Sequence, residues 1–277
     1  MFAAAVIVFR EVLEAAIVIG IIAAATRSIP ARGRWLAAGL LAGLAGSALV
    51  AVFADAIGAM ASGLGQELFN AGVLGIAVLM LAWHNIWMSS HGAALAAEAR
   101  TVGGDIRDGR LSLSILLVVV GLAVLREGSE TVLFLTGIAA SEGSGSGPML
   151  LGGLVGILSG AAVGYGLYAG LLRVPMRWFF GATGLLVLLL AAGMASQAAL
   201  FLIQAALLPS LAAPLWDTSA LLPVNSVLGM LLHSLVGYDP RPAGMQIVFY
   251  TLALAAIAGG MGLANRPRRA NLRKGTA

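Results

Sequence analysis

The sequence predicts an all-α polytopic membrane protein with seven transmembrane helices, arranged as a 3+3 inverted repeat plus one extra helix, N-terminus outside and C-terminus inside. Three observations lead there. The 277 residues are 60% hydrophobic and only 10% charged, with a mean hydropathy of +0.98, where a soluble domain carries roughly 25% charged residues. The apolar runs are continuous, without the two-residue alternation of an outer-membrane barrel, so the spans are helices. The basic residues gather on alternate connections between those runs, the asymmetry that orients a chain in a bilayer.

A span needs about 20 apolar residues, which places helices near 3–25, 35–55, 68–90, 112–138, 149–172, 179–206 and 244–264. The opening Met1 to Phe9 lacks the basic head of a secretory signal and runs straight into Arg10 and Glu11, so it reads as the retained start of the first span. The second span carries Gly39-xxx-Gly43-xxx-Ser47, 29 residues after Arg10, and the fifth carries Gly156-xxx-Gly160-xxx-Gly164, 30 after Arg126. Small residues at that spacing let helices approach closely. The third span opens at Gln66-Glu67 and shares Gly-x-x-Val-Leu-x-Leu-Ala with the sixth (Gly75 to Ala82, Gly184 to Ala191). Ser141 to Pro148 reads as a flexible outer turn between the fourth and fifth. The connection 207–243 holds five prolines and the apolar stretch Val227 to Leu235, which reads as a short interfacial or re-entrant helix in a functional loop. One transmembrane domain is expected over 1–277, with repeat 1 at 1–91, repeat 2 at 112–208, and helix 7 at 244–264 outside the repeat.

Orientation follows from the loops. Arg27, Arg32, Arg34, Arg100, Arg107, Arg110, Arg173, Arg177, Arg266, Arg268, Arg269, Arg273 and Lys274 fall on one face, thirteen of the sixteen basic residues. The opposite connections hold only Arg241. The basic face is cytoplasmic, and the net charge of +4 reflects anchoring to membrane lipid, with no nucleic-acid partner.

Two stretches break the apolar pattern: Arg10-Glu11-Val12-Leu13-Glu14 and Arg126-Glu127-Gly128-Ser129-Glu130, in the first and fourth spans. At ~2.5–3.5 kcal/mol for each charge at a helix centre, six charges cost roughly 15–20 kcal/mol unless they pair or meet water and ligand. In each copy the i and i+4 residues project about 40° apart and the two glutamates about 60° apart, so the charges share one side of their helix. The two helices run in opposite directions, and turning both charged sides from lipid makes them face each other. Four carboxylates against two arginines leave minus two, so ion pairing alone does not account for them. Such carboxylates serve as metal ligands, proton carriers or counter-ions to an organic cation.

Other chemistry is narrowed by what the chain lacks. It has no cysteine, and its one lysine, Lys274, rules out a Walker A loop. No His-Glu-x-x-His or Gly-x-Ser-x-Gly motif accompanies the carboxylates, so the chain reads as a transporter and not an enzyme. None of the five tryptophans is close in sequence to either motif, which disfavours an exporter of basic organic solutes. Secondary candidates for holding metal are Glu67, at an outer helix N-terminus where the macrodipole alone would also favour it, and His84 and His91, on one face with Trp87 and Met88. Asp217, His233 and Asp239 in the outer loop are placed to collect cations. Gln197 and Gln204, costly in lipid, call for interior partners.

Two membrane-embedded Arg-Glu-x-x-Glu motifs, in the first and fourth of seven spans, resemble the oxidase-dependent iron transporter family of fungal high-affinity and bacterial EfeU-type iron permeases. The resemblance extends through Gln66-Glu67-Leu68, Trp87-Met88 with His91, and Pro214-Leu215-Trp216-Asp217, Leu232-His233 and Gly237-Tyr238. The family motif is Arg-Glu-Gly-Leu-Glu; here the charged residues match twice, while Val12 takes the place of a glycine in the first copy. The resemblance implies iron import across the bacterial cytoplasmic (inner) membrane, with Glu11, Glu14, Glu127 and Glu130 as iron ligands and Arg10 and Arg126 orienting them. It also implies an external partner that delivers iron or changes its redox state: a multicopper oxidase in fungi, periplasmic binding and peroxidase-like proteins in bacteria. Relatives with the same motif that differ in selectivity would carry another divalent cation, such as lead or manganese.

Overall fold

In an apolar solvent each backbone N–H needs a partner within its own segment, so long apolar runs become helices. The prolines fall where they leave those runs intact: Pro30 lies between two helices, and Pro148 sits in a first turn, where its missing N–H costs nothing. A computed structural model describes residues 1–61, 65–142, 146–170 and 176–264. Among them are eight α-helices and no strand: α1 (Phe2–Ala25), α2 (Arg32–Ala61), α3 (Gln66–Arg107), α4 (Ile115–Glu142), α5 (Ser146–Tyr168), α6 (Met176–Gln204), α7 (Val227–Val236) and α8 (Gly244–Ala264). Five helices, α2, α3, α5, α6 and α8, are long and apolar enough to cross a membrane. α1 and α4 have 24 and 28 residues and differ by the three motif charges inside the apolar run of each. The architecture is that of a multi-pass membrane protein.

Helix pairing is reciprocal. α1 packs along α5, α4 packs along α2, α3 packs along α6, and α1 meets α4. The close approaches repeat residue for residue. A Cβ on Gly43 of α2 would lie 2.7 Å from the Gly121 carbonyl and 2.6 Å from Val124 Cβ on α4; one on Gly156 of α5 would lie 2.7 Å from the Ala5 carbonyl and 2.8 Å from Val8 Cβ on α1. Gly39 against Leu117 and Val120 is matched by Gly152 against Met1 and Ala4, and Ser47 against Leu125 and Gly128 by Gly160 against Phe9 and Val12. The equivalences are therefore Gly39 with Gly152, Gly43 with Gly156 and Ser47 with Gly160. They correct the spacing-based match of Gly39 to Gly156 by about one turn. The physical reason is loop length: six residues separate α1 from α2, and three separate α4 from α5.

That correspondence explains Val12. A Cβ on Gly128 would run into the Ser47 side chain, whereas Val12 Cβ stands 3.0 Å from a Cβ built on Gly160. The bulk sits on the motif helix in one interface and on its neighbour in the other. Gly128→Val should thus lower the melting temperature of the detergent-solubilised protein by several degrees, overpacking costing about 1–3 kcal/mol. Adding Ser47→Gly should recover most of the loss, since it recreates the Val12–Gly160 arrangement. A double variant no more stable than Gly128→Val would contradict this reading.

Two elements depart from the expected boundaries. α3 continues past residue 91 to Arg107, 42 residues in all, so Arg100 and Arg107 lie on a helix and not in a loop. Its last turns bury Ala99 and Ile106 against Ile22 of α1 and Leu116 of α4. The apolar stretch in the 207–243 connection forms the ten-residue α7, capped by Ser226 Oγ accepting the Gly229 N–H at 3.0 Å and ended by Gly237 at φ +73°. The connection around it is ordered by short backbone bonds, Leu215 N–H to the Pro242 carbonyl (2.8 Å) and Thr218 N–H to the Pro240 carbonyl (2.9 Å). Gln204 ends α6 exposed.

Candidate metal centre

On α1 the one-turn spacing lets one guanidinium span both carboxylates. Arg10 Nη1 lies 2.9 Å from Glu11 Oε1 and Nη2 lies 2.9 Å from Glu14 Oε1, and the three side chains are 2%, 1% and 4% exposed. α4 repeats the arrangement more openly. Arg126 Nε donates to Glu127 Oε1 at 2.9 Å and stands 3.8 Å from Glu130 Oε1. Its guanidinium carbon lies 5.3 Å from the centre of the Trp87 ring. A tryptophan thus does reach a motif, contrary to the expectation from sequence distance; it covers an arginine that is already paired.

α3 passes beside both motif helices and supplies His84. Its Nε2 stands 3.7 Å from Glu14 Oε2, and its Nδ1 is paired with Glu130 Oε2. The Phe134 ring meets the imidazole edge-on, centroids 6.4 Å apart. Two donor sets result, Glu11 with Glu14 and His84, and Glu11 with Glu127 and Glu130, each with ligand atoms within 4.8 Å of one another. Glu11 belongs to both, so the sets form one continuous cluster across three helices.

Five carboxylate oxygens in this cluster are buried without a hydrogen bond; those of Glu14 and Glu130 stand against Arg10 or His84, which leaves Glu11 Oε2 and Glu127 Oε2 with no cationic partner. Buried carboxylate oxygens without donors are costly and rare, and a cation between the helices would offset that cost. Opposite ligands of a first-row divalent ion lie roughly 4 Å apart, so the cluster has the size of a single-atom ion and not of an organic cation. Carboxylate oxygens with one imidazole nitrogen suit hard and borderline metals.

The remaining candidates do not join. Glu67 is exposed in the first turn of α3. His91 is exposed and stacks on Trp87, centroids 4.9 Å apart and planes at 8°, with its Nδ1 3.1 Å from the Trp87 carbonyl. Asp217 accepts from the Ser219 hydroxyl (2.6 Å) and N–H (2.9 Å) and pairs with Arg241 at 3.0 Å. Those Ser219 bonds first, then Arg241, hold its carboxyl below the usual range, as befits a loop staple. Asp239 accepts the Arg241 N–H at 2.9 Å. His233 bonds the Tyr238 carbonyl at 2.8 Å. Sequence reasoning ranked His84 with these outlying groups and missed Trp87 as the support of Arg126; the signal was the shared helix face of residues 84, 87 and 91.

Comparison with known proteins gives the family of the chain. The model of the iron permease FTR1 family matches residues 1–264. The ferrous iron permease EfeU of Escherichia coli O6:H1 is 31% identical over 259 residues, covering 92% of each chain. That of Shigella sonnei is 30% identical over 258 residues, with 92% of each chain covered. The Yersinia pestis protein is 28% identical over 262 residues, 92% of this chain and 90% of its own. No solved structure matches. The chain belongs to the iron permease FTR1 family, whose members are transporters of iron and not enzymes.

Proposed function

We propose that the chain imports iron across the bacterial cytoplasmic membrane through one site that Glu11, Glu14, Glu127 and Glu130 build together, with Arg10 and Arg126 orienting the carboxylates and His84 as an added ligand. The observation that carries this is the pair of buried oxygens with neither a hydrogen-bond donor nor an ion-pair partner, Glu11 Oε2 and Glu127 Oε2, contributed by α1 and α4, on residues that both belong to the cluster. α1 and α4, each longer than the roughly 20 residues of a span, bring the five apolar helices to seven. The reciprocal packing of α1 on α5 and α4 on α2 supports two inverted three-helix repeats, α1 to α3 and α4 to α6, with α8 outside them. A site between inverted repeats near mid-membrane is released when one repeat rocks against the other.

The basic end of the bundle is then cytoplasmic and the end carrying α7 faces outward. Cysteines placed at Asn225 and Arg107, both exposed, test this in a chain with no cysteine of its own. An impermeant thiol reagent added to intact cells should label position 225 and leave position 107 untouched; the reverse pattern would invert the assignment. A periplasmic partner of the iron-delivery, oxidase or peroxidase type is the expected supplier of the ion.

Import itself is tested in liposomes containing only this chain, offered ferrous or ferric iron with and without a pH gradient. Uptake of at least one state, lost in Glu11→Gln, is expected. Manganese and lead, added as competitors, should displace iron only weakly. No uptake of either state beyond that of empty liposomes would overturn the proposal.

A further inference from the structure

A small cavity lies on the same axis as the carboxylates, towards the end of the bundle that carries α7. It is lined by Ala3 of α1 and Ile138 of α4, eight residues before Glu11 and eight after Glu130, so it stands about 12 Å along both helices from the cluster. Ile7 and Phe134, each 0% exposed, occupy the intervening turns and separate the two. The other walls mix the apolar Leu190 and Met194 of α6 with the polar Gln197 of α6 and His233 and Ser234 of α7. Its volume of about 20 Å³ accommodates one water-sized particle.

The histidine in that wall has a fixed tautomer. A carbonyl only accepts, so the 2.8 Å contact between His233 Nδ1 and the Tyr238 carbonyl puts the proton on Nδ1 and the lone pair on Nε2. Histidine ligands are commonly held this way by a carbonyl behind them. Tyr238 is itself tied down, its hydroxyl 3.1 Å from the Leu222 carbonyl and 2.6 Å from Thr218 Oγ1. α7 gains its seat because α6 is bare there: a Cβ on Gly193 would lie 2.7 Å from Gly237 Cα. With Gly75 to Ala82 aligned on Gly184 to Ala191, Gly193 is the counterpart of His84. Where α3 sends an imidazole to the centre, α6 offers a gap into which α7 brings His233.

We infer that this cavity is a second, outer cation site, in which His233 Nε2 and the oxygens of Gln197 and Ser234 hold a divalent first-row ion, ferrous iron, on its way to the carboxylates. The inference rests on the two-motif path and outward orientation proposed above. Every donor is neutral, so the site attracts a cation far less than a cluster of net charge minus two, and transfer inward runs downhill. An imidazole nitrogen with neutral oxygens also favours a borderline divalent ion over hard ferric iron.

The test is anaerobic ferrous titration of the full chain in lipid nanodiscs. The wild type should bind two ions, one of them at least about tenfold more weakly. His233→Ala and Gln197→Leu, changed on different helices so that one folding failure does not decide the matter, should each lose only the weaker ion. Both should raise the half-saturating iron concentration for uptake. The double variant Glu11→Gln/Glu127→Gln should lose only the tighter ion. A wild type that binds one ion, or a weaker ion kept in whichever of His233→Ala and Gln197→Leu folds, overturns the outer site and leaves the motif reading standing. A tighter ion kept by Glu11→Gln/Glu127→Gln overturns the motif reading instead.

Discussion

Glu11→Gln and Glu127→Gln should each remove at least about nine-tenths of iron uptake from a chain that still folds and reaches the membrane. Glutamine keeps the size of the side chain and removes the charge, so a cation loses one of its ligands and the cluster loses half of its net minus two. Breaking a buried ion pair costs roughly 3–5 kcal/mol when the other charge is stranded. Here it is not: Arg10 keeps Glu14 at 2.9 Å after Glu11 is neutralised, and Arg126 keeps Glu130 at 3.8 Å and Trp87 at 5.3 Å. Uptake must be read beside membrane abundance and melting temperature. Two well-folded variants that both carry iron at the wild-type rate would show that the motifs do not share a site.

His84→Leu should lower uptake at least about tenfold and destabilise the protein. Among the described residues the imidazole is the one group paired with Glu14 of α1 and Glu130 of α4 at once, so leucine leaves a buried and a half-buried carboxylate without their shared partner, at a cost on the order of 3 kcal/mol. His84→Asn, whose amide can still donate to one carboxylate, should recover stability before it recovers transport, because it does not restore the ring nitrogen facing the other. The measurement is the pair of melting temperature and uptake rate for both variants. Wild-type transport by His84→Leu would reduce the histidine to packing.

The centre was legible in the sequence to the extent that charge in an apolar run is legible. Arg10, Glu11, Glu14 and their second copy stand out because the bilayer penalises them, and the helical period alone puts them on one side. The end of α3 was not legible in the same way. Glu98, Arg100, Asp105 and Arg107 end the apolar run, yet Ala99, Val102 and Ile106 keep a helical spacing and find Ile22 and Leu116 to pack on. A span is recognised by composition, and its amphipathic continuation only by its neighbours. His84 was seen but undervalued, because nothing in one sequence says that α3 passes beside both motif helices. The Gly-xxx-Gly runs announced close packing but not their partners: which glycine of α5 answers Gly43 is decided by three residues of loop length, and the fate of Val12 by Gly160 on another helix. α7 was suggested by apolar residues inside a long proline-rich connection, while its seat on α6 depended on Gly193, whose role shows only in three dimensions.

The most direct test of a shared centre is the tight binding of ferrous iron to purified Glu11→Gln and Glu127→Gln, each measured alone under anaerobic conditions. One site built by both helices means that either substitution abolishes the same tight ion, with binding weakened at least about tenfold and no tight ion left behind. If each single variant instead retains a tight ion, held by the motif that was not changed, α1 and α4 carry independent sites and the shared centre is contradicted.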